Sequence, residues 1–374
     1  MSENKKLRTL WLKENSSEPI VQVIDQRQLP HSFEVMDLSS VDEVAQAIKS
    51  MVVRGAPLIG ATAAYGMYYA CREAGAAGDA DAHFKASVQK LSDSRPTAVN
   101  LFWAINQQLA VIKNCSDWNE KAQNALEKAH QIVEADVDTC FNIGKQGLAI
   151  LEELSAQKSG ETLHILTHCN AGMLGCIEWG TATAPIYLAH QKGIKVHVWV
   201  DETRPRNQGA SLTTWELTQA GVPHTLIVDN QGGHLMQHGM VDMAIVGTDR
   251  TTRTGDVANK IGTYLKALAA FDNQVPFYVA LPSTTIDWDI RDGLKEIPIE
   301  ERSQDEVRFI PGKNQAGKME KVLLCPETTP ALNYGFDVTP ARLVTALITE
   351  RGVCEANEAG ILGLFPERKE AIKL

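Results

Sequence analysis

Cys169 stands in the run LHILT-HCNAG, just after a short apolar stretch and three residues before a glycine. A thiol between a strand and a Gly-containing turn is expected at a helix N-terminus. There the positive end of the helix dipole lowers a thiol pKa and favours the reactive thiolate. The alternative is a structural thiol. Asp249 follows the apolar run MAIVG in the same way. Its carboxylate can cap a helix, or it can serve as a general acid where poor hydration raises its pKa. If Asp249 pairs with Cys169 across neighbouring strands, the catalytic role is the better reading.

A second group of residues suits an anion. In Arg54-Gly55-Ala56-Pro57 a guanidinium can grip phosphate oxygens and a glycine lets the backbone approach closely. The helix that starts there offers unpaired N–H groups. Arg95, before Pro96-Thr97-Ala98, repeats the arrangement. The alternative for both arginines is a solvated surface head group. Asn259-Lys260 can bring an amide and a point charge to a substrate hydroxyl or phosphate.

These residues need elements to hold them. From about residue 160, short apolar runs alternate with longer helical segments. The runs are LHILT (163–167), KVHVWV (195–200), HTLIV (224–228), MAIVG (243–247) and FYVAL (277–281). This rhythm predicts a parallel sheet with helices on both faces, an α/β fold of Rossmann-like type. In such sheets ligands bind beyond the carboxyl ends of the strands. The residues that follow these runs are His168-Cys169-Asn170, then Asp201 to Gly209 with Gln208, Asp229-Asn230, Thr248-Asp249-Arg250 with Thr254 to Lys260, and Ser283-Thr284. Turn chemistry explains some of the Asp, Asn and Gly, but it does not explain a thiol and a lysine at one rim.

Before residue 160 the chain reads as a strand segment followed by helices. IVQVIDQ (20–26) suits a strand, and Ser40 with Glu43 forms a capping-box pattern before VAQAIKSMVV. Pro57 fits the first turn of a helix through IGATAAYGMYYACREA. AGAAGDADA (74–82) reads as a loop, and 85–155 carries helical apolar spacing. The expected division is a smaller mixed, mostly helical domain over 1–150 and a Rossmann-like catalytic domain over 151–374.

Composition narrows the function classes. The chain has 374 residues and a formal net charge of −10, which argues against nucleic acid as the main partner. There is no apolar run long enough for a membrane span, and the first residues are too polar for a secretion signal. Seven cysteines without a CxxC pair fit a reduced, cytoplasmic protein, most of them expected to be buried. His234 and His238 have zinc-pair spacing, but Leu235 replaces the glutamate of HExxH. GxGxxG after a strand, GxxxxGK[ST] and GxSxG are all absent. No metal and no cofactor is expected.

Together the segments resemble the methylthioribose-1-phosphate isomerase family, which includes the alpha, beta and delta subunits of the initiation-factor-2 exchange factor. The stretches that carry the resemblance are VRGAPLIGATAAYG (53–66), SRPTAVNLFWAI (94–105), LTHCNAG (166–172), DETRPRNQGASLTTWEL (201–217) and GTDRTTRTGDVANKIGTY (247–264). FDVTPARLVTALITERGV (336–353) completes the match. The resemblance implies Cys169 as the catalytic cysteine and Asp249 as the proton donor. It also implies substrate contacts from Arg54, Gly55, Ala56, Arg95, Gln208, Asn259 and Lys260. It further implies a homodimer that acts on a small sugar phosphate, converting 5-methylthioribose-1-phosphate to its ketose in methionine salvage. Two alternatives are an isomerase of another 5-modified ribose-1-phosphate, such as 5-deoxyribose-1-phosphate, and a non-catalytic exchange-factor subunit. Departures from the family pattern are Thr248 in place of an alanine, and a bulkier segment after the cysteine with Cys176, Glu178 and Trp179.

Overall fold

The computed structural model describes residues 7–95 and 98–371. The chain forms two compact units. One comprises Met1–Asn142 with Ala171–Thr183, the other Ile143–Asn170 with Ala184–Leu374.

In the first unit a three-stranded antiparallel sheet (Leu10–Leu12, Val21–Ile24, Val35–Leu38) accompanies a set of helices. The strand expected near 20–26 is Val21–Ile24. Ser40 caps the helix Val41–Lys49 by accepting the Glu43 N–H, as the spacing predicts, while the Glu43 carboxylate accepts from Ser39 rather than Ser40. The helix Ala56–Ala76 starts with Pro57 in its first turn and is apolar on nearly every face, so it lies in the core. Its Tyr69 hydroxyl donates to Leu38 O at 2.6 Å and accepts the Val21 N–H at 3.1 Å, which ties the helix to two strands. Its Leu58 and Met67 share one core with Leu91 and Leu101, each side chain contributing about 1.5–3 kcal/mol on burial. The expected loop at 74–82 is shorter than its composition implies. Helix runs through Ala76 and resumes at Ala80, where Asp79 accepts the Ala82 N–H as N-cap. The alanines of this stretch are good helix formers, Asp79 supplies a cap, and only three positions turn. Helices Val99–Ile112 and Trp118–Gln157 fill the rest of the segment expected to be helical.

The second unit is α/β. Its seven-stranded sheet has the spatial order Gly352–Cys354, Ala346–Thr349, Phe277–Ala280, Met243–Val246, Leu163–Thr167, Val196–Asp201, His224–Ile227. The first of these pairs antiparallel, and all the others are parallel. Numbered along the chain, the six parallel strands run 3-2-1-4-5-6, the doubly wound Rossmann order. All five expected strands are present; the sixth and seventh were not expected. The sheet core is Leu166, Ala244, Val246, Phe277, Val279 and Leu347. A smaller four-stranded sheet of the same unit has the spatial order Ile286–Asp287, Arg250–Thr252, Val257–Lys260, Phe336–Thr339, so the third of its strands along the chain lies at one edge.

Among the described residues, no helix is long and apolar enough to cross a membrane. None of the seven cysteines forms a disulfide. Cys71, Cys140 and Cys176 are buried, but Cys115, Cys169, Cys325 and Cys354 are partly exposed, so burial of most of them does not hold.

Candidate active site

A doubly wound sheet has one place where successive connections leave in opposite directions, and ligands collect there. In this chain it falls between Leu163–Thr167 and Met243–Val246. The two strands pair in parallel, Ile165 with Met243 and Leu166 with Ala244, and Thr167 Oγ1 donates to Ile245 O at 2.8 Å. Cys169 lies two residues beyond the first strand and Asp249 three beyond the second. Both are partly exposed.

The expected helix start at Cys169 is not there. After Asn170 comes a single 3-10 turn, Met173–Gly175, and the next α-helix begins at Thr183. Cys169 instead has φ of +67°, the left-handed region that side chains rarely adopt. Hydroxyls on the neighbouring connection hold it there. Its N–H donates to Thr203 Oγ1 at 2.8 Å, and Thr213 Oγ1 donates to its carbonyl at 2.7 Å. A non-glycine residue in this region costs about 1–3 kcal/mol unless its surroundings fix it. Its sulfur is 3.4 Å from Gln208 Oε1, and Gln208 is buried.

Asp249 sits where the large sheet gives way to the small one. Its N–H donates to Ala258 O at 3.0 Å, next to Asn259. Asn259 and Lys260 end the strand Val257–Lys260 and are both buried. Asn259 Nδ2 donates to Thr263 Oγ1 at 3.0 Å, and the Lys260 ammonium lies 4.4 Å from the Phe336 ring centre. The second unit therefore brings Cys169 to Gln208, and the Asp249 backbone to the Asn259–Lys260 strand.

In the first unit Arg54 is buried and Gly55 is the N-cap of the helix from Ala56, with φ of +90°. A Cβ on Gly55 would lie 2.4 Å from the Gly175 Cα and carbonyl oxygen, so both conformation and space require glycine. Ala56 and Pro57 open the helix, and no side chain caps it. Arg95 is partly buried, and its carbonyl accepts the Ala98 N–H just before the helix Val99–Ile112. The Pro96 and Thr97 of that motif lie outside the described residues.

Sequence reading missed the polar support behind these residues. His168 Nδ1 is 2.9 Å from Asp201 Oδ2, and its Nε2 is 2.9 Å from Ile261 O. Asp337 accepts N–H groups from Gly262 (2.7 Å) and Tyr264 (3.1 Å), and burial pushes its carboxyl above the usual range. Glu216 accepts from Asn170 and Tyr187. Each partnership spans tens of residues, and no local spacing announces it.

Two clusters among the described residues hold three possible metal-ligand atoms within 4.8 Å of one another: His168, Asp201 and Asp229, and Asp136, Cys140 and Cys176. In the first, the Lys266 ammonium lies 3.2 Å from Asp201 Oδ2 and supplies the positive charge. The second holds a carboxyl that accepts the Ile177 N–H at 3.1 Å. Asp136 keeps some residue surface, but burial of its carboxyl pushes it up to about 7. A folded-state pKa above the unfolded one stabilises fully at low pH, and that stability is lost as pH rises toward 7. Asp136→Asn, which keeps an acceptor for Ile177, is therefore expected to gain on wild type by on the order of 4 kcal/mol between pH 4 and pH 8. Urea denaturation of both proteins at the two pH values measures this, and a pH-independent difference would contradict it.

Comparison with known proteins agrees with this fold. The family model described as "Initiation factor 2 subunit family" matches residues 52–356. A protein named methylthioribose-1-phosphate isomerase from Desulfatibacillum aliphaticivorans is 58% identical over 361 residues, covering 96% of this chain and 97% of the relative. The solved 5-methylthioribose 1-phosphate isomerase of Pyrococcus horikoshii OT3 superposes with a TM-score of 0.82 at 37% identity, over 96% of each chain. A solved structure described as the delta subunit of translation initiation factor eIF-2B from A. fulgidus gives 0.79 at 37% identity, over 96% of this chain and 99% of that one. This chain therefore belongs to the methylthioribose-1-phosphate isomerase family, within the wider initiation factor 2 subunit family.

Proposed function

We infer that the chain converts 5-methylthioribose-1-phosphate to 5-methylthioribulose-1-phosphate, an aldose–ketose isomerisation in methionine salvage. The observation that carries this reading is the delivery of a thiol and a carboxyl from the carboxyl ends of two adjacent strands at the sheet's reversal point.

Phosphate on the anomeric oxygen keeps the sugar ring closed, so the reaction needs an acid to open it. Asp249 is assigned as the acid that donates a proton to the ring oxygen. Cys169 assists transfer of hydrogen from C2 to C1. C2 is oxidised and C1 reduced within one molecule, so the electrons balance without an external acceptor. Arg54, Gly55, Ala56 and Arg95 are assigned to the phosphate, and Gln208, Asn259 and Lys260 to the sugar hydroxyls.

Arg95→Ala is expected to raise KM about 10- to 100-fold, the worth of one charge-assisted hydrogen bond, with a smaller change in kcat. Initial rates against substrate concentration check it, and an unchanged KM contradicts the assignment of Arg95.

The active form is proposed to be a cytoplasmic homodimer. Exposed apolar side chains at Met319, Val322, Leu324, Leu332 and Tyr334 support a covered face in the second unit. Light scattering on the purified chain tests it, and a monomer at micromolar concentration overturns it. The likeness to an exchange-factor delta subunit keeps a second reading, binding of a sugar phosphate without turnover. Detection of ketose product separates the two.

A further inference from the structure

We propose that His168 is a positioning residue, a latch that fixes the Cys169 turn relative to the turn that follows Lys260. The proposal deepens the isomerase reading and rests on it for its kinetic readout alone.

Three connections meet at this ring. His168 immediately precedes Cys169 in the chain. Its Nδ1 contacts Asp201, the last residue of the neighbouring strand, at 2.9 Å. Its Nε2 contacts the carbonyl of Ile261, the residue after Lys260, at 2.9 Å. The His168 and Asp201 side chains are fully buried, so water does not compete for either contact. One rigid ring thus spans the gap between the residue before the thiol and the residue after the lysine.

The surroundings hold the latch in place. Lys266 Nζ lies 3.2 Å from Asp201 Oδ2 and is itself buried. Asp229 Oδ1 approaches His168 Nδ1 at 3.9 Å and accepts the Thr203 N–H at 2.7 Å. Thr203 in turn accepts the Cys169 N–H. Asp337 grips the Gly262 N–H, so the far turn is fixed from its other side. The charged groups facing the ring are therefore Asp201, Asp229, Asp337 and Lys266. The ring's two direct partners are the Asp201 carboxylate and the Ile261 carbonyl, one on each ring nitrogen. Asp201 Oδ1 is buried and takes no hydrogen bond from a described residue, so Lys266 and His168 together carry the stabilisation of that carboxylate. The left-handed backbone of Cys169 persists only while its surroundings over-determine it. Release of one anchor would let the thiol drift, and a misplacement near 1 Å costs about 100-fold in rate.

The test uses the full chain and two variants. Asparagine at 168 keeps an amide donor for Asp201 but is too short to reach Ile261 O, so His168→Asn removes the bridge and leaves half the contact. Lys266→Met removes the ammonium that braces Asp201 without touching the ring. For each variant kcat, KM, the thermal midpoint and the rate of iodoacetamide alkylation at Cys169, read by peptide mass spectrometry without substrate, are compared with wild type. His168→Asn is expected to lower kcat about 10-fold or more with little change in KM, and to change the Cys169 alkylation rate severalfold. Lys266→Met is expected to shift both in the same direction by less. Variants with wild-type kcat and alkylation rate overturn the latch, as does a fall in thermal midpoint with neither rate altered. If His168→Asn does not fold, Lys266→Met decides. If wild type forms no ketose, the isomerase reading fails while the alkylation comparison still judges the latch.

Discussion

Cys169→Ala and Asp249→Asn are each expected to lower kcat by about 100-fold or more, with the folded structure retained. The expectation follows from where the two side chains stand. Each leaves the carboxyl end of a strand at the one boundary where the sheet order reverses, and those strands are direct neighbours. Neither side chain belongs to the core, since both residues are partly exposed. Alanine at 169 retains the Cβ and both backbone hydrogen bonds to Thr203 and Thr213, so the turn keeps its anchors. Asparagine at 249 keeps the shape and the backbone bond to Ala258 but has no carboxyl proton to donate. Because both groups act on one substrate along one reaction path, the double variant should be only slightly worse than either single one. Circular dichroism with steady-state kinetics checks this, and near-full turnover in a folded variant contradicts the assigned roles.

The second large effect is expected at Gly209. A Cβ there would lie 1.7 Å from the backbone oxygen of Asp201 and 3.0 Å from Thr203 Oγ1. The first atom is a strand end and cannot swing aside as a side chain could. The second is the hydroxyl that receives the Cys169 N–H. Gly209→Ala must therefore push apart the Asp201 strand end and the turn that carries Gln208. The cost should be about 3 kcal/mol or more, at or above the upper range for overpacking. Activity should be lost along with stability, because the displaced residues are those that set the Cys169 backbone and present Gln208 to its sulfur. Chemical denaturation of wild type and variant measures the first effect, and a shift below about 1 kcal/mol would show that the strand end gives way more easily than its burial implies.

Much of this arrangement was legible in the residues. The five apolar runs after residue 160 became the first five parallel strands because each is short, apolar and followed by turn residues, although His224–Ile227, at the sheet edge, leaves Thr225 and Leu226 exposed. Ser40 and Pro57 worked as local signals because capping and first-turn chemistry depend on nearest neighbours. The helix start expected at Cys169 failed because the signal used, a glycine after a strand, does not separate a helix from an irregular turn. Thr203 and Thr213, more than thirty residues away, set that backbone instead. Arg250–Thr252 and Val257–Lys260 went unread as strands because RTT and VANK are short and carry no alternation. The His168–Asp201–Lys266 network was hidden for the same physical reason as Asp337. Its members come from different connections and meet only after the sheet has formed.

Proton magnetic resonance of 5-methylthioribose-1-phosphate incubated with the purified wild-type chain tests the central claim most directly. The anomeric proton signal should disappear as a C1 methylene pair of the ketose phosphate grows in, and the same sample with Cys169→Ala or Asp249→Asn should stay nearly unchanged. An anomeric signal that persists with the wild-type chain, while the sugar phosphate binds, would contradict catalysis and leave a binding protein in its place.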